Sequence, residues 1–207
     1  MSLTRRSFLI GLPLLVGACT STRSTNTYVN AYAPVRDEPF PLPAMSLSRI
    51  DPELRRQEVH FETDQPEGTI VVDTANKFLY WTLGNDRAIR YGVGVGRQGL
   101  AFRGRGYIGR KAEWPSWTPT ANMLRTNPEA NMPYRNGVPG GPNNPLGARA
   151  LYLYRNGSDT MFRIHGTNQP RSIGLAMSSG CIRMLNHDVI DLYERVPTGT
   201  RVIVVQA

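Results

Sequence analysis

The stretch Thr69-Ile70-Val71-Val72-Asp73, Thr74-Ala75-Asn76, Lys77-Phe78-Leu79-Tyr80-Trp81-Thr82-Leu83 decides the fold. A β-branched run, a short polar turn and a run of aromatic and aliphatic residues read as two strands joined by a turn. Gly84-Asn85-Asp86 turns the chain again, and Ala88 to Val95 returns as a third strand. Outward from this core, strands are predicted at 150–154, 161–165 and 202–205. One helix is predicted from Asn186, its expected cap, with Asp188 in the first turn and Val189, Leu192, Tyr193 and Val196 at helical spacing. Pro197 and Gly199 end it. The domain is therefore mostly β, with one short helix near the C-terminus.

The 207 residues include 20 Gly and 16 Pro, which argues against a helical bundle. Residues 101–149 hold seven of each, together with Trp114 and Trp117. They read as a long irregular loop, either lining a binding site or inserted at the surface. Two Cys exclude a disulfide-dense scaffold. The formal charge of +8 rests on 22 Arg and on Lys77 and Lys111. That balance suits a polyanionic partner (nucleic acid, anionic lipid or a carboxylate-rich wall polymer) or solubility alone.

Arg5 and Arg6 precede an apolar run from Phe8 to Ala18. The run is shorter than the roughly 20 residues that span a bilayer, so residues 1–18 read as an export signal. Thr4-Arg5-Arg6-Ser7-Phe8-Leu9 resembles a twin-arginine signal, and Val16-Gly17-Ala18-Cys19 resembles a bacterial lipobox. Cleavage there leaves Cys19 as a lipidated terminus, and Thr20, not Asp, directs the anchor to the outer membrane. Residues 19–66 read as a lipid-anchored tether and linker, polar first and then stiffened by Pro34, Pro39, Pro41 and Pro43. Asp51 and Pro52 mark a short helical turn.

The chemistry is concentrated in His165-Gly166-Thr167, Ile173-Gly174 and Ser178-Ser179-Gly180-Cys181-Ile182-Arg183-Met184. His165 ends a predicted strand. Cys181 follows in a turn of small residues, which lets substrate approach the backbone and amides face an oxyanion. A thiol needs a base or cation to become thiolate, and a histidine partner brings a Cys pKa down to roughly 3–7. The carbonyl of Gly166 is a candidate to fix the imidazole tautomer.

That string resembles the signature of the YkuD-type L,D-transpeptidase catalytic domain, over residues 67–207. The hairpin around Val72 and Leu79, the segment Asn144-Pro145-Leu146-Gly147-Ala148-Arg149 and the closing Pro197-Thr198-Gly199-Thr200-Arg201-Val202 fit it too. Many members carry His before the Gly-Cys pair, where this chain has Ser179. The resemblance implies an L,D-transpeptidase-like β-sandwich, with Cys181 as nucleophile and His165 as base. It implies Gly180, Gly166 and Ser179 as oxyanion or orienting residues. Arg183, Ser178 and Trp117 are substrate-binding candidates. Arg183 either neutralises a substrate carboxylate or braces the site.

It further implies peptidoglycan stem peptides as partners in the periplasm, with release of D-Ala and transfer to an acceptor amine. The acceptor is a stem peptide, an envelope protein or water. No cofactor is expected. No Cys/His spacing matches a metal site. Gly94-Val95-Gly96-Arg97-Gln98-Gly99 matches G-x-G-x-x-G, but loop, not helix, is expected to follow, so no nucleotide site is read there. Export argues against nucleic acid as partner. The rival readings are a non-catalytic wall-binding lipoprotein, which has no need of both His165 and Cys181, and a thiol redox protein, which lacks Cys-x-x-Cys.

Overall fold

In the hairpin, β2 (Ile70–Asp73) pairs antiparallel with β3 (Phe78–Gly84), Ile70 facing Trp81. Asn85 and Asp86 both take left-handed backbone angles (φ 50° and 53°) and turn β3 into β4 (Arg87–Gly92). The structure is a computed structural model that describes residues 29–96, 102–178 and 180–205. Ahead of the hairpin, β1 (Gln57–His60) pairs with β4. After it come β5 (Val95–Gly96), β6 (Gly104–Glu113), α1 (Ala121–Thr126), α2 (Pro128–Asn131), β7 (Arg149–Arg155) and β8 (Ser158–His165). The chain ends with β9 (Ala176–Ser178), β10 (Ile182–Arg183), α3 (Asn186–Arg195) and β11 (Arg201–Val205).

Nine strands form one mixed sheet in the order β1-β4-β3-β2-β11-β6-β7-β8-β10, and β5 and β9 pair separately. The last strand is central, parallel to β2 and antiparallel to β6. Alternation along each strand sends Ile70, Val72, Leu79, Ile108, Leu151, Leu153, Ile164, Val202 and Val204 into one core. Helix α3 adds Val189 and Leu192 to it, each buried side chain contributing about 1.5–3 kcal/mol.

The structure departs from the sequence reading in four places. Residues 104–113, expected as loop, are the longest strand. Glycine there is clearance: a Cβ on Gly109 would lie 2.3 Å from the Tyr154 ring, at a bulge between Ile108 and Arg110. The stretch 101–149 also holds two short helices, so α3 is not the one helix expected. Thr120 and Asn127 cap them through their side chains. Leu185, not Asn186, occupies the cap position of α3 and makes no side-chain cap bond.

Residues 29–66, expected as linker, are seated on the domain. The Tyr32 hydroxyl donates to Asp188 (3.3 Å), and Tyr32, Ile50, Ile173 and Leu185 form a second apolar cluster. Arg56 pairs with Asp191 at 2.7 Å, and Asp51 caps a 3₁₀ turn at Pro52–Leu54 as expected. The export signal, Cys19, Arg97 to Gly99 and Ser179 lie outside the described residues. Among the described residues no helix is long and apolar enough to cross a membrane.

Candidate active site

Strands β8 and β10 run parallel, with Ile182 opposite Ile164 and Arg183 opposite His165. Ile164 and Ile182 are buried in the core. Their neighbours His165 and Arg183 therefore share the opposite face. One more step of this register sets Cys181 against Arg163, and the thiol interacts with the Arg163 backbone and with the charges of Arg163 and Arg183. Cys181 and His165 are thus diagonal neighbours on one face.

His165 is buried (5% exposed). Its Nδ1 lies 2.6 Å from the carbonyl of Gly166. A carbonyl only accepts, so Nδ1 carries the proton and Nε2 is left as the base. Burial pushes the imidazole pKa down to about 4, helped by the positive charges of Arg183 and Arg163 and opposed by the Gly166 bond. Cys181 is partly exposed, yet burial pushes its thiol up and outweighs the pull of Arg163 and Arg183. Both groups are therefore neutral at pH 7. The shifts of both groups favour the neutral forms.

The Arg183 backbone exchanges hydrogen bonds with Gly94 (2.8 and 2.7 Å). Its Nη1 donates to Gln169 Oε1 at 3.3 Å, while Nε is buried without a hydrogen-bond partner. A cation with one idle donor beside the sulfur suits a ligand carboxylate. Arg163, by contrast, is engaged by both oxygens of Asp159 (3.0 and 3.2 Å) and lies over the Tyr152 ring. Gly180 has φ 124°, a conformation that a side chain would strain. A Cβ on Gly96 would sit 2.6 Å from the Gly180 Cα, and one on Gly94 would sit 2.5 Å from the Ser172 carbonyl. Gly94 and Gly96 thus serve close packing under the cysteine turn.

His165 lies opposite Arg183 and bonds to Gly166, and Cys181, next to Gly180, lies beside Arg163 and Arg183. Ser178 pairs with Gly96 through its backbone. Trp117 sits in the loop after β6, where it bridges to Val138 and packs against Tyr134. The sequence reading missed Gln169, Arg163 and Asn186. Asn186 Oδ1 accepts from the backbone N–H groups of Ala148 and Thr167, each at 3.1 Å. An Asn that opens a helix without capping it, near Gly147 and Gly166, was the available signal. Among the described residues no group of three His, Cys, Asp or Glu side chains is arranged to hold a metal.

The family model for the L,D-transpeptidase catalytic domain matches residues 67–204. The chain belongs to the L,D-transpeptidase catalytic-domain family. The probable L,D-transpeptidase YbiS of Escherichia coli is 38% identical over 138 residues, 66% of this chain and 44% of that protein. The chain spans less than half the length of that relative. A crystal structure from Brucella melitensis, described as a probable carnitine operon oxidoreductase, is 49% identical with TM-score 0.51, covering 77% of this chain and 99% of that one. That description belongs to the other protein. The Ldtfm–avibactam carbamoyl enzyme, at 19% identity and TM-score 0.51 over 69% of this chain and 50% of that one, shares the L,D-transpeptidase fold.

Proposed function

We propose that this L,D-transpeptidase-family domain is a peptidoglycan acyltransferase with Cys181 as nucleophile and His165 as general base. The observation that supports the reading is the register of β8 and β10, which continued by one residue brings Cys181 to the face that carries His165, with His165 Nδ1 committed to Gly166. Because thiol and imidazole are both neutral at rest, the proton moves from Sγ to Nε2 as sulfur attacks. Sulfur bonds to the carbonyl carbon between the third and fourth residues of the donor stem. The C–N bond breaks, and D-Ala leaves with the proton held on Nε2. His165 then deprotonates the acceptor amine, which attacks the thioester and returns the sulfur as leaving group. The thioester keeps the acyl energy, so no nucleotide is needed.

Backbone N–H groups of Gly180 and Cys181 stabilise the oxyanion, and Arg183 either neutralises a stem carboxylate or braces the site. Gly166 and Ser179 orient the site, and Ser178 and Trp117 complete the substrate-binding set. The acceptor is a stem peptide, an envelope protein or water. Residues 1–18 export the chain, and a lipid on Cys19 holds it at the outer membrane, in the periplasm. Cys19→Ala should then release it from the membrane fraction.

The test is incubation with purified disaccharide tetrapeptides, with products weighed by mass spectrometry. A dimer reports transpeptidation and a tripeptide reports hydrolysis. Cys181→Ser should lose at least a thousandfold in either. Equal turnover by that variant would remove the nucleophile assignment.

A further inference from the structure

We propose that Asn186 is a positioning residue for His165, acting through the peptide group between Gly166 and Thr167. The inference rests on the reading of His165 as general base. The N–H of Thr167 and the carbonyl of Gly166 belong to one planar amide. Asn186 Oδ1 accepts from that N–H at 3.1 Å, and His165 Nδ1 donates to that carbonyl at 2.6 Å. Held at its N–H end, the plane cannot turn its carbonyl away from the ring. The bond at one end also polarises the other, which strengthens it.

The surroundings are built for this amide. Oδ1 takes a second N–H, from Ala148 at 3.1 Å, so it ties the approach to β7 to the exit from β8. A Cβ on Gly147 or on Gly166 would lie 2.2 Å from Oδ1. Glycine is therefore demanded at both positions by the amide between them, which accounts for the glycine of His165-Gly166-Thr167. Gly166 is also fixed from its own N–H, which donates to the Arg149 carbonyl at 3.0 Å. Asn186 itself is anchored by α3, whose Val189 and Leu192 are in the core. The amide caps no N–H of its own helix. Its acceptor is spent on the loop that carries the base.

Without that acceptor the carbonyl is free to rotate, and the neutral ring can hold its proton on Nε2, leaving the lone pair on the wrong nitrogen. Substrate contacts are untouched, so the chemical step suffers and binding does not.

The test uses the full chain with ¹⁵N-labelled imidazoles at pH 7. The unsubstituted protein should show His165 protonated on Nδ1 and bare on Nε2. Asn186→Leu should show a mixture of tautomers, a rate of Cys181 acylation at saturating donor lowered at least tenfold, and a KM within twofold. Asn186→Asp, which keeps Oδ1, should stay within threefold in rate. A folded Asn186→Leu with unchanged tautomer and rate within twofold overturns the proposal, as does an Asn186→Asp that falls as far as Leu. If Asn186→Leu does not fold, an Nε2-protonated His165 in the unsubstituted protein, or a Thr167 amide exchanging as freely as an exposed one, overturns it instead. An inactive unsubstituted protein whose tautomer still responds to Asn186→Leu would sink the transferase reading and leave the positioning role standing.

Discussion

On the shared face of β8 and β10, burial favours the neutral forms of His165 and Cys181, whereas Glu38, within residues 29–56, keeps its charge. Burial pushes the Glu38 carboxyl up, but hydrogen bonds from Arg149 and from Trp114 Nε1 (2.7 Å) outweigh it and hold the group below its usual range. Cys181 has the nearby charges of Arg163 and Arg183, yet burial still wins there. The difference lies in the donors: the carboxylate takes three hydrogen bonds from a guanidinium and an indole and stays ionised, whereas the contact of the thiol with the Arg163 backbone does not offset its burial. One region uses charge to hold the chain together; in the other, burial favours the neutral forms.

The largest effect should come from breaking the charged region. Glu38 and Arg149 are both buried at their contact (8% and 4% exposed). Glu38→Ala leaves the Arg149 guanidinium and the Trp114 N–H without their carboxylate, and should cost about 3–5 kcal/mol. Urea unfolding measures this, with Cys181→Ser as the control expected to change stability by less than about 1 kcal/mol. A Glu38→Ala midpoint equal to that of the control would mean that residues 29–56 do not fold with the domain.

Next comes pH. His165 has its pKa pushed down by burial to about 4 from an ordinary 6.5. Between those values the unfolded chain takes up a proton that the folded chain refuses. The stability His165 contributes is therefore full above pH 6.5 and lost as pH falls toward 4. The gap of 2.5 units corresponds to about 3 kcal/mol. Asp188, which accepts from Tyr32 of residues 29–66, runs the other way. Burial raises it to about 7, supported by Asp191 and opposed by Arg56 and Tyr32. Its contribution is full below pH 3.8 and lost as pH rises through 7. Unfolding curves between pH 4 and 7 should flatten on the acid side for His165→Gln and on the neutral side for Asp188→Asn. Identical pH slopes in all three proteins would remove both assignments.

The same contrast explains what was legible in the sequence. The active-site motif lies within nineteen residues, and its strands announce themselves by runs such as Ile70-Val71-Val72. The ion pair of Glu38 with Arg149 and the hydrogen bond of Tyr32 to Asp188 join positions 111 and 156 apart, and no local pattern announces them. Strand β6 was hidden because Gly104, Gly106 and Gly109 carry the composition of a loop, while two of them make room for the side chain or backbone of Tyr154. Asn186 was assigned to its own helix because capping is the commoner use of Asn at that point; only the fold reveals the two amides it serves instead. The neutral resting pair was illegible for another reason: Cys and His spacing reports who can meet, and burial decides which of them is charged.

The smallest effect tests that last point directly. A preformed thiolate beside an imidazolium would alkylate rapidly from low pH upward and level off. A neutral thiol raised by burial should react with iodoacetamide at pH 7 more slowly than a free cysteine, by about threefold or more, and should keep accelerating past pH 9. Cys181 is the only thiol in residues 29–207, so a chain carrying Cys19→Ala reports on it alone. His165→Gln separates the two origins of the raised pKa. If burial sets it, alkylation changes little on losing the ring, because a neutral imidazole was supplying no charge to the sulfur. If the rate instead collapses, the ring was sharing its proton with sulfur at rest, and the contrast between the His165–Cys181 face and the Glu38–Arg149 pair fails at its first residue.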